Sequence, residues 1–432
     1  MTDPIDEQVR GLVNSAERAS ASGQREEATR LLTQAQAAAP NHPLILNAWG
    51  LSALNAGDAA AARPFFEKAI ALDDKNAAFW LNLATCFRRL GLVEDESNAL
   101  NRVLAIDPRH LLALLQLGAH LALQGKTRQA ASTYRNALAT IPAGARLPEQ
   151  LQPVIQRAVA AVRDSEAELR SFLEERLQPV SSQYSASERE RFDHCLGLLT
   201  GTRRLYRPQP TFIHLPYLPA YEFYARSSFP WLEEIEQATP EIQAEFQRVF
   251  AEDSSALEPY IAYPSAAPLD QWRELNHSRR WSVFYLWRDG TPVAEHQARC
   301  PRTVALLAKA PQADVPEYGP TAFFSILDAR TRIPPHCGVT NSRLIVHVPL
   351  IIPEGCRFRV GSTTRPWRPG EAFVFDDTIE HEAWNDSDVP RAILIFDIWN
   401  PYLSEAERAL VRTLGKGLKD FYRGQMPMEA LL

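Results

Sequence analysis

The first third of the chain repeats a pattern of glycine, small and large apolar residues with a period of 34 residues. The glycines in one phase of this period are Gly23, Gly57, Gly91 and Gly125. Small residues occupy a second phase, at Ala16, Gly50, Ala84 and Gly118. Small residues let paired helices approach closely, and glycine accommodates the turn between them. Because large apolar side chains fill the positions between, the pattern predicts about four helix–turn–helix units across residues 9–142.

A 34-residue period of this kind resembles the tetratricopeptide repeat, whose helix pairs stack into a solenoid. The pattern is interrupted once, where Glu96 takes the place of an alanine that recurs at Ala28, Ala62 and Ala130. The resemblance implies a concave groove for a peptide or a partner protein, although such an array can instead pack on the next domain or dimerise. The basic side chains that suit either a groove for an acidic peptide or a solvated surface are Arg88, Arg89, Arg102, Arg109 and Lys126.

Beyond the repeats, helical spacing of apolar residues continues to about Thr200 and predicts connecting helices. Prolines and aromatic residues become frequent from Arg207–Pro210, which indicates a new domain. Within this domain Phe229–Phe250 is predicted to be a helix, Trp281–Trp287 alternates like a strand, and short strands with glycine and proline turns follow from Phe323. Such strands are typical of a double-sheet jelly roll of the cupin kind.

These patterns predict a multidomain α + β protein in three parts. Residues 1–145 form the repeat solenoid, residues 146–202 a helical connector, and residues 203–432 a domain that folds as a jelly roll, or double-stranded β-helix. A chain of 432 residues is long enough for each domain to bury its own core.

Composition and charge indicate which partners and which cellular compartment to expect. The net charge of −6 gives no reason to expect a nucleic acid or an anionic membrane as partner. The five cysteines are scattered, without a closely spaced pair, which fits a reducing compartment. The acidic N-terminal sequence lacks the apolar centre of a secretory signal, and no apolar stretch approaches the length of a membrane helix. We therefore expect a cytoplasmic protein.

Two histidines and one arginine carry the candidate chemistry of the C-terminal domain. His336 precedes the apolar run Leu344–Ile352, and His381 follows the strand-like segment Ala372–Phe375. Arg391 opens a further apolar run. Two imidazoles on neighbouring strands, with an arginine one strand further, suit a barrel that holds Fe(II) and a dicarboxylate cosubstrate. Imidazole also binds zinc, copper and nickel, so the two histidines alone do not name the metal.

No acidic residue stands where the usual iron-binding motif would place it. That motif has a carboxylate two residues after the first histidine, and this chain has Gly338 there. Asp376 and Asp377 follow a predicted strand, where the ordinary role of such residues is in turns and local hydrogen bonds. The other acids near either histidine are Asp328, Glu380 and Glu382.

Several segments of the C-terminal domain together resemble the aspartyl/asparaginyl β-hydroxylase family. The resemblance is tightest over residues 281–401, where the motifs occur in order at family-like spacing. Members with tetratricopeptide repeats ahead of the catalytic domain are known in this family. The segments are Phe324–Ile326, Pro335–Leu344, Glu354–Cys356, Trp367–Glu371, Phe375–Trp384 and Arg391–Pro401.

The resemblance implies an Fe(II)- and 2-oxoglutarate-dependent dioxygenase in which two histidines are the only protein ligands. His336 and His381 would then bind iron, and Gly338 in place of a carboxylate is expected. Oxidative decarboxylation of 2-oxoglutarate would give succinate, CO₂ and an oxidant that hydroxylates a C–H bond.

The same resemblance assigns four residues to the cosubstrate. Arg391 would hold the distal carboxylate of 2-oxoglutarate in a bidentate, charge-assisted pair, and Ser325 would add a hydroxyl to that carboxylate. His347 and Trp281 match family positions that contact the cosubstrate and wall its pocket. As alternatives, Arg391 pairs with Asp397 or Asp388, and His347 and Trp281 are ordinary core residues.

The chain departs from the family pattern at a position that would bind the substrate. Members that act on aspartyl residues carry a second arginine two residues after the position of Arg343, and this chain has Ile345. Because alternate residues of a strand share a face, the pocket would have one arginine beside an apolar contact.

Three functions remain open from the sequence. The leading hypothesis is a hydroxylase of a protein or peptide, with an Asp- or Asn-like side chain, that the repeat groove recruits and Arg343 helps to bind. The second is a hydroxylase of a small molecule, a carrier-tethered amino acid or an acyl group. The third is a non-catalytic repeat adaptor whose cupin-like domain binds a ligand.

Overall fold

The protein is known from a computed structural model that describes residues 4–142, 144–252, 256–264, 270–316 and 318–422. The chain divides into two compact units, residues 1–202 and residues 203–432. None of the helices in the described ranges is both long enough and apolar enough to cross a membrane.

The first unit consists of antiparallel helix pairs followed by two further helices. Each turn glycine of the repeat has a positive φ, between 73° and 90°, which a residue with a Cβ rarely adopts. The predicted repeats are therefore confirmed in their turns. The helices of the described part of this unit are α1 Pro4–Ala21, α2 Arg25–Ala38, α3 Pro43–Asn55, α4 Ala59–Leu72, α5 Ala77–Leu90, α6 Val93–Ile106, α7 Leu111–Leu123, α8 Thr127–Ala139, α9 Gln152–Ser181 and α10 Ala186–Leu199.

The small residues of the repeat lie where two helices of a pair come into contact. A Cβ added to Gly50 in α3 would lie 2.5 Å from the ring of Phe66 in α4. A Cβ on Gly118 in α7 would lie 2.5 Å from the ring of Tyr134 in α8. Real carbon atoms in contact do not approach so closely, so each aromatic ring packs directly on a glycine backbone.

Replacing Gly118 by alanine is expected to destabilise the repeat unit by about 1–3 kcal/mol, because the added methyl group overpacks the buried Tyr134 ring. The matched control is Gly11→Ala in α1, where no atom lies within 4 Å of the added Cβ. That change is expected to stabilise by up to about 1 kcal/mol through helix propensity. Urea unfolding of the two variants measures both effects, and equal midpoints would contradict the packing argument.

Glu96, which interrupts the alanine pattern, forms a buried hydrogen bond between neighbouring repeats. Its Oε2 lies 2.9 Å from Nδ1 of His120 in α7, and both side chains are buried. Gln124 contacts the other ring nitrogen of His120 at 2.6 Å. The larger acidic side chain is accommodated because His120 supplies its polar partner, so the solenoid continues without a break.

The second unit contains two antiparallel sheets. The larger sheet has the order β1-β2-β4-β11-β6-β9, with β3 paired to β2, and the smaller has the order β5-β10-β7-β8. The strands are β1 Glu258–Pro259, β2 Trp281–Arg288, β3 Thr291–Pro292, β4 Ala322–Leu327, β5 Thr331–His336, β6 Arg343–Ile351, β7 Cys356–Val360, β8 Thr363–Pro366, β9 Phe373–Phe375, β10 His381–Asn385 and β11 Arg391–Trp399.

Helices accompany the sheets of the second unit. The predicted helix over Phe229–Phe250 is divided in two, because Pro240 has no N–H to continue a helix and instead begins a new one. The described helices of this unit are α11 Leu232–Gln237, α12 Thr239–Glu252, α13 Ala294–Arg299, α14 Pro301–Leu307 and α15 Glu405–Tyr422.

Strand alternation separates two cores on the two faces of the larger sheet. In β11, Leu394 and Phe396 belong to a core that includes residues of α11, α12 and α14. Ile393, one residue away, belongs to a second core that includes Phe358 of β7 and Ala383 of β10. The two sheets therefore face each other across this second core, and the polar residues that alternate with Leu394 and Phe396 point between the sheets.

Candidate functional site

A cavity of about 470 Å³ lies between the two sheets and is lined by residues of both. Its wall includes every residue predicted to form the site, although these residues come from six different strands. They are Trp281, Ser325, His336, Arg343, His347, His381 and Arg391. The structure therefore brings the whole predicted set to one place, with polar groups at both ends and apolar side chains between.

The two histidines lie side by side on paired strands. His336 ends β5 and His381 begins β10, and the two are direct partners in the antiparallel register. Their ring centroids are 4.0 Å apart. Nδ1 of His336 donates to the carbonyl oxygen of Pro334 at 2.8 Å, and Nδ1 of His381 donates to that of Ile379 at 3.1 Å. Because Nδ1 carries the proton in both rings, both Nε2 atoms have a free lone pair.

Burial keeps both imidazoles neutral. It lowers the pKa of His336 to about 4. Burial, followed by the neighbouring His336, holds the pKa of His381 well below its usual range. Neutral imidazole is the form that binds metal, and the backbone hydrogen bonds orient both rings as in known metal sites. The pair can therefore supply two nitrogen ligands without first losing a proton.

A third protein ligand is missing from the neighbourhood of the histidines. Within the described ranges, no group of three or more His, Cys, Asp or Glu side chains is arranged to hold a metal. The packing at Gly338 explains why no carboxylate stands two residues after His336. A Cβ at position 338 would lie 2.1 Å from Oδ2 of Asp377. No side chain fits at position 338 while Asp377 stays in place, so the usual carboxylate ligand is excluded sterically.

Arg391 lies at one end of the cavity with only 1% of its surface exposed. Its Nη1 lies 3.5 Å from the hydroxyl of Ser325, and its guanidinium lies over the Trp367 ring at 4.7 Å. Its Nε has no hydrogen-bond partner in the part of the chain that the structure describes. Burial lowers its pKa to about 10, so the group is still a cation at neutral pH. A buried guanidinium of this kind requires an anion to offset its desolvation.

The two acids considered as alternative partners of Arg391 are engaged elsewhere. Asp397 contacts Arg343 at 2.8 Å, and Asp388 contacts Arg330 at 2.8 Å. Among the residues that the structure describes, Arg391 makes no ion pair with a carboxylate. The alternative in which Arg391 pairs with Asp397 or Asp388 is therefore not found in the structure.

Three further residues surround the arginine. Trp281 donates from its indole nitrogen to the hydroxyl of Ser325 at 3.1 Å, which orients that hydroxyl. Trp367 donates to Nδ1 of His347 at 3.4 Å, so Nε2 of His347 carries the proton. Burial, followed by Arg391, holds the pKa of His347 well below its usual range. Both Trp281 and His347 are buried side chains that also face the cavity, so each combines a packing position with contact to a bound molecule.

The opposite end of the cavity contains Arg343 and a group of side chains on neighbouring strands. Arg343, Ile345 and His347 all face the cavity, as strand alternation predicts. Arg343 does not point free into the space, because its Nη1 contacts Oδ2 of Asp397 in β11. Phe323 adds an apolar wall beside Ile345.

Two acidic residues of this end were not assigned to the site from the sequence. Asp377 was interpreted as a turn residue, but only Asp376 has that role, accepting from Thr378 at 2.6 Å. The Asp377 carboxylate lines the cavity, its Oδ1 has no partner, and burial raises its pKa to about 7. Burial also raises the pKa of Asp397 to about 6. Asp397 could have been found from the sequence, because it lies six residues after Arg391 on one strand and alternate residues of a strand share a face. No pattern in the sequence indicated that Asp377 packs against Gly338.

Comparison with known proteins agrees with this geometry. Residues 236–401 match the profile of the family described as "Aspartyl/Asparaginyl beta-hydroxylase". This stretch is similar to an aspartyl/asparaginyl β-hydroxylase domain. Residues 53–116 match the profile of the tetratricopeptide repeat, so both predicted resemblances are confirmed.

Curated relatives match the hydroxylase domain rather than the whole chain. The aspartyl/asparaginyl beta-hydroxylase of Mus musculus is 38% identical over 141 residues, which are 32% of this chain and 19% of that protein. The ornithine lipid ester-linked acyl 2-hydroxylase of Rhizobium tropici is 33% identical over 187 residues, 42% of this chain and 62% of that protein. The human aspartate beta-hydroxylase domain-containing protein 2 is 29% identical over 204 residues, 46% of this chain and 53% of that protein.

The chain thus spans between about a fifth and three fifths of the length of these relatives. Among solved structures, the Cut9–Hcn1 hetero-tetramer of the APC/C matches 35% of this chain and 29% of its own, with 22% identity and a TM-score of 0.31. That similarity is too weak to define a fold. The hydroxylase domain is supported by sequence relatives that differ in what their names say they hydroxylate.

Proposed function

We propose that the protein is an Fe(II)- and 2-oxoglutarate-dependent dioxygenase that hydroxylates a C–H bond. The observation that carries the proposal is the buried Arg391, which makes no ion pair with any described carboxylate and lines the same cavity as two neutral histidines. A dicarboxylate that binds a metal with one end and a guanidinium with the other matches this arrangement.

The residues present fit both groups. His336 and His381 would hold iron through Nε2, and the lack of a third protein ligand leaves room for the cosubstrate and O₂. Arg391 and Ser325 would bind the distal carboxylate, while Nε2–H of His347 is a hydrogen-bond donor on the adjoining wall. When bound, iron with 2-oxoglutarate and O₂ supplies the oxidising power for hydroxylation. The chain's own part is to orient these groups and to exclude water from the enclosed space.

The double-stranded β-helix is part of this proposal. Two antiparallel sheets that face each other support that architecture. The histidine pair that would bind the metal lies on the smaller sheet, and Arg391 lies on the larger one. We also propose that the repeat unit recruits a protein or peptide substrate, because stacked helix pairs serve this purpose in other proteins. A cytoplasmic setting fits the scattered free cysteines.

The direct test is anaerobic titration of the full chain with Fe(II) and then 2-oxoglutarate, followed by visible absorption. A metal-to-ligand charge-transfer band is expected only when both are present, because it requires the cosubstrate to chelate the iron. Succinate, which keeps two carboxylates but lacks the keto group, is the matched control and is expected to give no band. If folded protein binds iron and gives no band with 2-oxoglutarate, the dioxygenase proposal fails and a ligand-binding adaptor takes its place.

An acyl group is the second candidate for the hydroxylated substrate. The apolar wall formed by Phe323 and Ile345 favours it, as does the pairing of Arg343 with Asp397. A relative that shares 33% identity is named as an acyl 2-hydroxylase. An Asp- or Asn-like side chain remains the leading candidate because relatives named aspartyl/asparaginyl beta-hydroxylase match the same domain.

A further inference from the structure

The positive charge at the substrate end of the cavity is already compensated by the protein. Nη1 of Arg343 contacts Oδ2 of Asp397 at 2.8 Å, and Asp397 also accepts from the backbone N–H of Thr321 at 3.2 Å. Ile345 lies directly opposite Asp397 in the register of β6 and β11. Because position 345 is isoleucine, β6 places no second cation beside Asp397. Arg343 is the one arginine of β6 that lines the cavity.

Further carboxylates line the same space. The Asp377 side chain is 7% exposed and packs against the backbone of Gly338. Asp289 and Arg288 also line the cavity, and Arg288 contacts Asp289 at 4.0 Å and Glu258 at 2.9 Å. A carboxylate entering this end would therefore meet two guanidiniums, Arg343 and Arg288, that already have carboxylate partners, and it would lie near further acidic side chains.

The buried polar atoms that have no hydrogen-bond partner indicate which ligand group this end of the cavity would bind in place of a carboxylate. Besides Nε of Arg391, three buried side-chain atoms among the described residues of the cavity wall have no hydrogen-bond partner, namely Nε of Arg343, Oδ1 of Asp377 and the hydroxyl of Tyr318. Nε is a donor and Oδ1 of the carboxylate is an acceptor. A ligand group that both accepts and donates hydrogen bonds can satisfy both without carrying a charge.

The wall between these atoms is apolar and aromatic. The rings of Tyr260 and Phe323 have centroids 5.4 Å apart, and those of Tyr285 and Phe323 are 5.3 Å apart. Ile345 and Ile395 continue this surface across β6 and β11. Such a wall gains free energy by covering apolar ligand surface, and its side chains carry no positive charge to offset a desolvated anion.

We infer that this end of the cavity selects an uncharged group that both donates and accepts hydrogen bonds, such as a carboxamide, carried on an apolar body, and that it excludes carboxylates. Arg343, Asp397 and Ile345 together determine this specificity. The inference rests on the proposed function, since it assigns the substrate class of the same site.

The test uses the full chain loaded with Fe(II) and 2-oxoglutarate, and two matched sets of probes. One set is N-acylated asparagine amides with acyl chains of increasing length, and the other is the corresponding aspartate amides at neutral pH. Succinate formation in air reports productive binding, and the charge-transfer band recorded without probe reports the iron–cosubstrate site. The carboxamide set is expected to stimulate succinate formation at least about tenfold more than the carboxylate set, as expected for one charged group left uncompensated.

Two variants separate charge from size. Ile345→Arg places a guanidinium opposite Asp397 and is expected to reverse the preference, whereas Ile345→Met, similar in bulk and uncharged, is expected to keep it. Asp397→Asn releases Arg343 from its ion pair and is expected to shift the preference towards carboxylates independently. The charge-transfer band is expected in all three variants, because none of these side chains contacts the histidine pair or Arg391 in the proposed arrangement.

The outcomes are distinguishable. Absence of the band in the wild type defeats the proposed function and this inference with it. If the band is present, a stronger or equal response to the carboxylate set, or no response to either set, overturns the inference and leaves the proposed function standing. An unchanged preference in both Ile345→Arg and Asp397→Asn would show that these residues do not determine the specificity.

Discussion

Replacing Arg391 by methionine is expected to weaken 2-oxoglutarate binding by about 150- to 4,000-fold while iron still binds. The estimate follows from the cost of about 3–5 kcal/mol for removing one partner of a buried charge pair. Arg391 is almost fully buried and its Nε has no hydrogen-bond partner among the described residues, so the distal carboxylate of the cosubstrate would lose its main cation. Isothermal titration of the iron-loaded variant with 2-oxoglutarate measures the effect.

The stability of the ligand-free protein distinguishes this role from a structural one. A buried cation without a carboxylate partner is costly, so Arg391→Met is expected to leave the melting temperature unchanged or raise it. Added 2-oxoglutarate is expected to stabilise the wild type and not the variant. The matched control is Arg357→Met, which removes a surface ion pair with Asp386 and is expected to retain cosubstrate affinity. A large loss of stability in Arg391→Met with normal affinity would contradict the assignment.

Replacing either histidine of the pair by alanine is expected to weaken iron binding by at least about 100-fold. Changes to groups that merely orient a ligand already cost about 10- to 100-fold in metal affinity, and in the proposed site one of two protein ligands would be lost. His336 and His381 are direct partners across β5 and β10, so each variant leaves a single imidazole. Anaerobic titration with Fe(II), with Mn(II) as a redox-inert substitute, measures the affinity.

His347→Gln is the matched control for the histidine pair. His347 is also a buried histidine that lines the cavity, but it contacts Trp367 and is not paired with either ligand strand. This variant is expected to bind iron normally and 2-oxoglutarate more weakly. If it lost iron as completely as His336→Ala and His381→Ala, the assignment of two protein ligands would be wrong.

The repeat unit shows how much a strong periodicity can predict. The turn glycines and the small residues at helix contacts were identified by their spacing alone, and both have the predicted surroundings. Interactions within a repeat join residues close in sequence, so the pattern carries nearly all of the information needed. The partner of Glu96 was not predictable, because His120 lies outside the repeated positions.

The strands of the second unit and the identity of its site residues were predictable from the sequence. The pairing of strands and of charged side chains was less predictable. Runs such as those of β6 and β11 were recognised from continuous apolar sequence, which both faces of a buried strand require. The predicted helix before them was divided by Pro240, a residue whose effect on helix continuity is local and could have been used.

The sequence by itself determined the repeat solenoid, the strand-rich second unit, and the residue types of the site. Only the tertiary structure decided which charges are free. Asp397 pairs with Arg343 and not with Arg391, and Asp377 packs against Gly338, because the register between distant strands sets these contacts. Strand pairing joins residues far apart in the chain, and one step in register turns each side chain to the other face. That register leaves Arg391 without an ion pair to any described carboxylate, which is the observation from which the cosubstrate site is proposed.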